Sequence, residues 1–168
     1  ILGKPVEAMG YIRKGLKIYK EMELPDQMTA LAWLGAAQLA LGKFEAALQT
    51  TRRAVRLLEK SAAISGEYPM QDIWWWRYQA LTEGFRKSPS KAQAEEAWQA
   101  IDHARETLLS GIASLSDDGL RRNYFNKVAI NRQIIQAWLE QASLRKLTLE
   151  QLTDALSGAG NVQEPFKR

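Results

Sequence analysis

The stretch Ala30–Leu58 constrains the fold of this chain more than any other part of its sequence. Its apolar residues recur at spacings of three and four, which is the pattern of an amphipathic helix, and Gly42 interrupts that pattern near the middle. Small residues stand where two helices would have to approach closely: Gly35, Ala36, Ala47 and Ala54. Larger apolar residues would fill the space between the helices: Leu34, Phe44 and Leu48. The stretch therefore predicts a hairpin of two helices with a tight turn at Gly42.

The same periodicity continues over the rest of the chain and predicts an all-α fold of about seven helices in antiparallel hairpins. The predicted helices cover residues 5–22, 27–41, 43–63, 70–87, 91–114, 118–146 and 149–156. Residues of the kinds that begin helices stand at the start of most of these segments: Pro5, Asp26, Ser90 with Gln93, the run Ser116–Asp118, and Thr148 with Gln151. No segment has the alternating pattern of a strand.

The composition agrees with one globular domain and excludes several classes of site. The chain has 168 residues, of which 46% are hydrophobic and 25% are charged, and it has no cysteine. It therefore has no disulfide framework and no thiolate metal site, and it contains no apolar run long enough to span a membrane. The net charge of +4 comes from interspersed acids and bases, which is only weak support for an anionic partner. From its two ends we expect a segment of a longer, cytoplasmic protein.

The hairpin resembles the tetratricopeptide repeat, a helix–turn–helix unit of about 34 residues. The match covers residues 28–61 and rests on the spacing of a few positions: Leu31, Leu34, Gly35, Gly42, Phe44, Ala47 and Ala54. The sequence departs from the repeat pattern where the family has Trp, Tyr, a second aromatic residue and Pro: Leu31, Gln38, Thr51 and Glu59.

This resemblance implies a tetratricopeptide-like right-handed superhelix over residues 1–157. Its units would cover residues 1–22 in part, 28–61, 70–115, and 117–157 as a divergent or capping pair. Residues 158–168 would be a linker to a following domain. Long, degenerate repeats of this kind resemble those of multidomain bacterial signalling and transcription-regulatory proteins. The resemblance implies a scaffold for signal transduction that binds a protein or peptide in a concave groove, lined by the second, fourth and sixth helices, and it implies no catalysis.

Three consecutive tryptophans, Trp74–Trp76, are the most unusual feature of the fourth predicted helix. Successive helical residues are about 100° apart, so the three rings cannot share one face. A helical wheel places Trp74 and Trp76 in the apolar arc and Trp75 outside it. We therefore expect a core role for the outer two and partial exposure for Trp75. An exposed tryptophan is a candidate interface anchor, and packing beneath the preceding loop is the alternative.

Arg77 lies inside the apolar arc of the same helix and therefore needs a partner for its charge. A structural ion pair with an acid of a neighbouring helix is one interpretation, and a cation that grips a ligand carboxylate is the other. The predicted partner-binding residues are Trp75, Arg77, Gln79, Arg121 and Lys127, although solvent exposure is also open for the last two. Asn131 falls in the apolar stripe of the sixth predicted helix, where we expect a buried side chain that bonds to the backbone or specifies the register, rather than one that binds a ligand.

No catalytic constellation is apparent, so we expect neither an enzyme nor a bound cofactor or metal. His103 is the single histidine, and it lies among polar positions without a nucleophile or paired carboxylate at a useful spacing. The leading hypothesis is a protein-interaction scaffold without a membrane segment, and nucleic acid is not the expected partner. Binding of a small anionic ligand or of nucleic acid, and homodimerisation, remain alternatives. Basic residues converging on one concave face would favour an anionic ligand.

Overall fold

The computed structural model describes residues 3–22, 24, 26–60, 70–86 and 89–157, and its regular elements are all helices. The helices are α1 (Pro5–Glu21), α2 (Gln27–Ala40), α3 (Phe44–Lys60), α4 (Met70–Gly84), α5 (Lys91–Ser114), α6 (Asp118–Lys127), α7 (Ala129–Leu144) and α8 (Leu149–Leu156). This confirms the all-α class and, closely, the number of helices. The superhelical arrangement remains a prediction. The predicted loop at 65–69 and the predicted linker at 158–168 lie outside the described residues.

The chain divides into two compact units, Ile1–Ala104 and Arg105–Arg168, here called unit 1 and unit 2. In unit 1, α2 packs against α1, α3 and α4, and α3 also packs against α4. The main core cluster is formed by residues of α2, α3 and α4: Met28, Leu31, Ala32, Ala54, Val55 and Ile73. The helix α2 is therefore central in unit 1, and its sides face different neighbours.

The helix α3 lies very close to α2, as the small residues predict. A Cβ atom at Gly35 would lie 2.4 Å from Cγ2 of Thr51, a distance that real side chains do not tolerate. Ala47 and Ala54 are fully buried in the same interface. Phe44 was expected to fill the space between the two helices, and this expectation is wrong, because 40% of its surface is exposed. It is the first residue of α3, one turn before the close contact begins.

Most predicted helix ends are confirmed by their geometry. Gly42 has φ +69°, a left-handed conformation that favours glycine and ends α2. Ser90 with Gln93 and Thr148 with Gln151 each exchange the two hydrogen bonds of a capping box. The Asp117 side chain accepts from the Leu120 amide at 2.8 Å. Asp26 differs, because it precedes α2 without making a side-chain cap.

In unit 2, the helix predicted over 118–146 is two helices, α6 and α7, with a break at Val128. The backbone of Val128 is extended, with φ −89° and ψ 109°. Fully buried Asn131 donates from Nδ2 to the Tyr124 carbonyl at 2.8 Å, so it satisfies a carbonyl near the end of α6. The expected backbone contact of Asn131 is confirmed, and it stabilises a break that the apolar periodicity did not reveal.

A buried arginine also marks unit 2. Arg105 donates to the Ala155 carbonyl, its guanidinium lies 5.1 Å from the ring centroid of Trp138, and it pairs with Glu106 at 3.3 Å. The helix α8 is therefore held to the first residue of the unit by a charged hydrogen bond to its last turn. No helix in the described parts of the chain is long and apolar enough to cross a membrane.

Candidate binding site

An open groove runs between α1 and α2 on the surface of unit 1. Its volume is about 470 Å³. It is lined by Tyr11, Ile12, Gly15 and Tyr19 of α1, by Asp26 at the start of α2, and by Thr29, Ala30 and Trp33 of α2. A concave, largely apolar surface with a few polar groups is the usual form of a binding site. We therefore take this groove as the candidate site.

Packing on one side of α1 leaves the groove open on the other. Apolar residues of α1 meet α2 and its end in a small core cluster: Met9, Ile12, Leu16, Leu34, Ala37 and Leu41. Gly15, which faces the groove, has no side chain to close it. A Cβ atom at Gly15 would have Cε2 of Tyr19 as its nearest neighbour outside the helix's own backbone, at an ordinary contact distance of 3.7 Å. Gly15 therefore leaves space in the groove, and the packing of α1 against α2 would not prevent a larger side chain from filling it.

Aromatic rings form the walls of the groove. Tyr11 is 73% exposed, which is unusual for so large a side chain. Lys14 lies outside the groove lining, with its Nζ 6.0 Å from the Tyr11 ring centroid. Trp33 is partly buried and is supported from within unit 1 by Trp76, whose ring centroid is 5.5 Å away. One wall of the groove, formed by Tyr11, is therefore exposed. The other wall, formed by Trp33, is held in place by its contact with the interior of unit 1.

Two polar groups of the groove have no partner among the described residues. The Asp26 carboxylate makes no cap for α2 and forms no hydrogen bond or ion pair with any residue that the structure describes. The Thr29 hydroxyl is buried and likewise has no hydrogen-bond partner there. Because Asp26, Thr29 and Trp33 are spaced by three and four, they lie along one face of α2. The groove thus combines apolar walls with two free acceptors.

Trp75 corrects the clearest expectation from the sequence. It is only 6% exposed, so the prediction of a partly exposed side chain is wrong. The helix α4 is buried on two sides, because Gln71, Trp75 and Tyr78 are buried as well as Ile73 on the opposite side. Trp75 contacts the Tyr78 ring at 5.8 Å between centroids. Trp74 and Trp76 pack against the main core cluster and remain partly exposed, so the order of burial among the three tryptophans is the reverse of that expected.

Arg77 is buried and holds three helices of unit 1 together. It pairs with Glu96 of α5 and donates from Nη1 to the Leu48 carbonyl at 2.8 Å and to Oγ1 of Thr51 at 3.3 Å. Burial lowers the pKa of the guanidinium, and the hydrogen bond and charge of Glu96 oppose that shift. The structural ion pair is therefore the interpretation that the geometry supports. Both terminal nitrogens of Arg77 therefore donate hydrogen bonds within the protein.

The other predicted partner-binding residues are placed in different surroundings. Gln79 is partly buried on α4. Arg121 in unit 2 donates from Nε to the Leu115 carbonyl at 2.6 Å and pairs with Asp118 at 3.2 Å. Lys127 is exposed at the end of α6. None of the predicted residues on α4 lines the groove, and the partner-binding roles of all five remain predictions.

Sequence reasoning did not select the groove residues, although a signal for them was present. Gly15 interrupts the apolar face of α1, and Tyr11 and Tyr19 flank it one turn away on each side. A glycine between two aromatic residues on one helical face indicates a recess with aromatic edges. The position of Asp26 opposite that recess depends on how α1 and α2 pack, which the sequence pattern does not give.

His103 and one buried acid complete the list of chemically distinctive residues. The His103 ring lies 4.6 Å from the Trp74 ring, between centroids, which is a stacking contact. Burial raises the pKa of Asp72 on α4 to about 6. Within the described ranges, no group of histidine and acidic side chains has the geometry to hold a metal ion.

Comparison with protein-family models gives no match to this chain. Searches of curated proteins and of solved structures likewise give no significant match. The assignment of function therefore rests on the groove and on the residues that form it.

Proposed function

We propose that unit 1 is a tetratricopeptide-like protein-interaction module, whose α1–α2 groove binds a segment of a partner protein. The observation that carries this proposal is the groove itself: an open, aromatic-walled recess with unpartnered polar groups. Together with the resemblance of residues 28–61 to the tetratricopeptide repeat, it favours a scaffold in a larger bacterial signalling or transcription-regulatory protein of the cytoplasm. Binding would depend on shape and surface chemistry.

The size and walls of the groove suit a few side chains of an extended or helical segment. Its volume of about 470 Å³ is within the range of binding pockets. Tyrosine and tryptophan are the residues that most often dominate the energy of a protein interface. Tyr11 would lose most of its exposed apolar surface on binding, because it now projects into solvent. Burial of the Tyr11 ring in a complex would therefore contribute hydrophobic free energy to binding.

The fold also gives the groove a rigid base. Nearly all residues of α2 from Leu31 to Gln38 are buried, and Trp33 rests on Trp76 of α4. A wall held in this way loses little side-chain entropy when a partner binds. The free protein therefore presents the α2 side of the groove in a form that is ready for binding.

A selection from a displayed peptide library tests the proposal. The library is selected on the full chain, and enriched peptides are measured against two variants, Gly15→Leu and Gly10→Leu. Gly15 lines the groove, so a leucine there would fill it, whereas Gly10 lies on the exposed side of the same helix and a Cβ there meets no atom within 4 Å. Both variants make the same chemical change in the same helix. Circular dichroism checks that both remain folded.

We expect enriched peptides to bind the Gly10→Leu variant with unchanged affinity and the Gly15→Leu variant at least about tenfold more weakly, a loss of about 1.4 kcal/mol. A result in which no enriched peptide distinguishes the two variants would contradict the proposal. Peptides that bind both variants equally would place the interaction elsewhere on the chain.

The outer face of α3 carries the bases that a second candidate function, binding of an anionic partner, would use, although these bases do not line the concave groove. The exposed residues of α3 include four bases: Arg52, Arg53, Arg56 and Lys60. Among the described residues, only Arg52 of these has an ion pair, with Glu96 at 3.8 Å. Reversing charge in an Arg53→Glu, Arg56→Glu variant would abolish binding of a single-stranded oligonucleotide if this face is the site. Binding that is absent, or independent of salt, would exclude it.

A further inference from the structure

We infer that the α1–α2 groove recognises the alkylammonium group of a lysine side chain. This inference rests on the proposed function and specifies the chemistry of the partner segment. It draws on three features of the groove: the aromatic identity of the walls, the unpartnered Asp26 carboxylate, and the buried Thr29 hydroxyl without a hydrogen bond.

The walls of the groove suit a cation. Three aromatic rings line it, from Tyr11, Tyr19 and Trp33. The face of an aromatic ring carries a negative partial charge and attracts ammonium groups, most strongly for tryptophan and when water is excluded. The Tyr11 ring already has a cation near it within the protein, because Nζ of Lys14 is 6.0 Å from its centroid. Since Lys14 is not part of the lining, the groove side of the walls is left for a second cation.

The polar groups match the hydrogen-bonding capacity of an ammonium group. A lysine ammonium has three N–H donors and no acceptor. Asp26 offers two carboxylate oxygens and a negative charge, and Oγ1 of Thr29 offers lone pairs. The two residues lie one helical turn apart on the face of α2 that lines the groove. An ammonium group at this place would pair with Asp26 while its methylene stem covers the apolar lining, and it would reach the buried Thr29 hydroxyl once that side chain turns toward the groove.

Other kinds of side chain fit less well. A carboxylate or phosphate would meet the like charge of Asp26. A neutral apolar side chain would cover Asp26 and Thr29 without giving either a hydrogen bond, and an unsatisfied polar group that loses its water is costly. A guanidinium could also pair with both oxygens of the Asp26 carboxylate, so arginine is the alternative that the binding experiment must separate from lysine. The lining therefore favours a cationic side chain over an anionic or a neutral one.

Titration with matched short peptides tests this inference directly. The probe is a blocked peptide with one lysine flanked by glycine and serine. Three companion peptides replace that lysine with Nε-acetyl-lysine, norleucine or arginine. Binding is followed on the unmodified chain through the indole N–H resonance of Trp33 in a ¹H–¹⁵N spectrum. We expect weak binding of the lysine peptide that shifts this resonance, and binding at least about tenfold weaker for each companion peptide.

Two variants locate the contact. Asp26→Asn keeps the shape of the side chain and removes its charge, and we expect it to weaken lysine-peptide binding about tenfold. The side chain of Asp26 does not cap α2, so this change leaves the helix start unaltered. Glu59→Gln removes the same charge from an exposed position on α3 outside the groove lining, and we expect it to leave the affinity unchanged. Tyr11→Leu keeps an apolar wall without the ring and should also weaken binding.

Failure of this inference can be told apart from failure of the proposed function. Absence of a shift with the lysine peptide, or equal binding of the norleucine peptide, overturns the lysine assignment. Tighter binding of the arginine peptide overturns it in favour of a guanidinium. In each case library peptides that still distinguish Gly15→Leu from Gly10→Leu would leave the protein-interaction role intact. If n-butylammonium binds as tightly as the lysine peptide, the site takes a free amine, and the assignment to a partner side chain is overturned.

Discussion

The helix α2 has two sides that differ in how closely they are packed. On the side of α3, the Thr51 side chain lies so close that Gly35 has no room for a Cβ atom. On the side of α1, an apolar seam coexists with the open groove at Gly15, where a Cβ atom would fit at 3.7 Å from its nearest neighbour. Glycine is therefore obligatory in one interface and leaves an unfilled space in the other. We call these the closed side and the open side of α2.

We expect the two sides of α2 to have different roles, the closed side in stability and the open side in recognition. The closed side continues into α4, where Arg77 and Asp72 are buried and each is subject to the cost of removing charge from water. The open side leaves the Asp26 carboxylate unpartnered in the groove lining and the Thr29 hydroxyl buried without a hydrogen bond among the described residues. Substitutions on the closed side should therefore change the free energy of unfolding, whereas those on the open side should chiefly change binding.

The largest expected effect on the closed side is the replacement of Arg77. An Arg77→Met substitution keeps much of the stem volume but removes the ion pair with Glu96 and the hydrogen bonds to Leu48 and Thr51. We expect the free energy of unfolding to fall by about 3 kcal/mol, because two buried hydrogen bonds from a charged donor are lost, whereas Glu96 is partly exposed and keeps its ion pair with Arg52. Urea denaturation followed by circular dichroism measures the change.

Arg86→Met is the matched control for this substitution. Arg86 is exposed, and its ion pair with Glu83 is long, at 4.0 Å. Exposed pairs of this kind contribute little, so we expect a change below about 0.5 kcal/mol. Equal effects of the two substitutions would show that the buried contacts of Arg77 do not stabilise the closed side.

Asp72 gives the next largest effect, and its sign depends on pH. Burial raises its pKa from 3.8 to about 6, so the folded state binds the proton more tightly than the unfolded state does. The free energy of unfolding should therefore fall as the pH rises from about 4 to about 6, and it should then level off. An Asp72→Asn substitution removes the free-energy cost of burying the charged carboxylate. We expect it to stabilise the protein by about 2 kcal/mol at pH 7.5 and by almost nothing at pH 4.

Urea denaturation at the two pH values measures this difference. Asp154→Asn, which changes an exposed acid of α8 in unit 2, serves as the control and should alter stability little at either pH. A stabilisation by Asp72→Asn that is the same at pH 4 and pH 7.5 would exclude the charge of Asp72 as its cause.

The closed side could be predicted from the sequence because its signals are local and repeated. Helix periodicity, capping boxes and the small residues Gly35, Ala47 and Ala54 gave the α2–α3 hairpin and most helix ends. The expectation of an ion pair for Arg77 followed from its position in an apolar arc, and the structure identifies Glu96 as the partner. Each of these inferences uses residues within one helix or one hairpin.

The failures concern helices whose surroundings come from distant parts of the chain. A helical wheel assumes one apolar side, and it therefore placed Trp75 outside the core of a helix that is buried on two sides. The break at Val128 was missed because α6 and α7 continue one apolar stripe, while the contact from Asn131 to Tyr124 that stabilises the break is polar. The groove depends on the packing of α1 against α2, so its aromatic residues and Asp26 could not be assembled from spacing alone.

The smallest effect that still separates the two sides of α2 comes from adding one methyl group at a glycine. Gly35→Ala would bring a Cβ atom to 2.4 Å from Cγ2 of Thr51, so the buried Thr51 side chain or the helices must shift. The cost of overpacking exceeds the gain in helix propensity, and we expect a net loss of about 1 kcal/mol in the free energy of unfolding. Gly10→Ala, on the exposed side of α1, has no neighbour within 4 Å and should instead raise it by about 0.5–1 kcal/mol.

A second substitution identifies the contact responsible. Thr51→Ser removes Cγ2 but keeps the hydroxyl that donates to the Ala47 carbonyl at 2.8 Å. In the Gly35→Ala, Thr51→Ser double variant, the nearest remaining atom is Cβ of residue 51, at an ordinary distance of 3.8 Å. The loss caused by Gly35→Ala should therefore disappear in the Thr51→Ser background, a coupling of about 1 kcal/mol between adjacent residues. An undiminished loss there would mean that glycine at position 35 is required by something other than the close approach of α2 and α3.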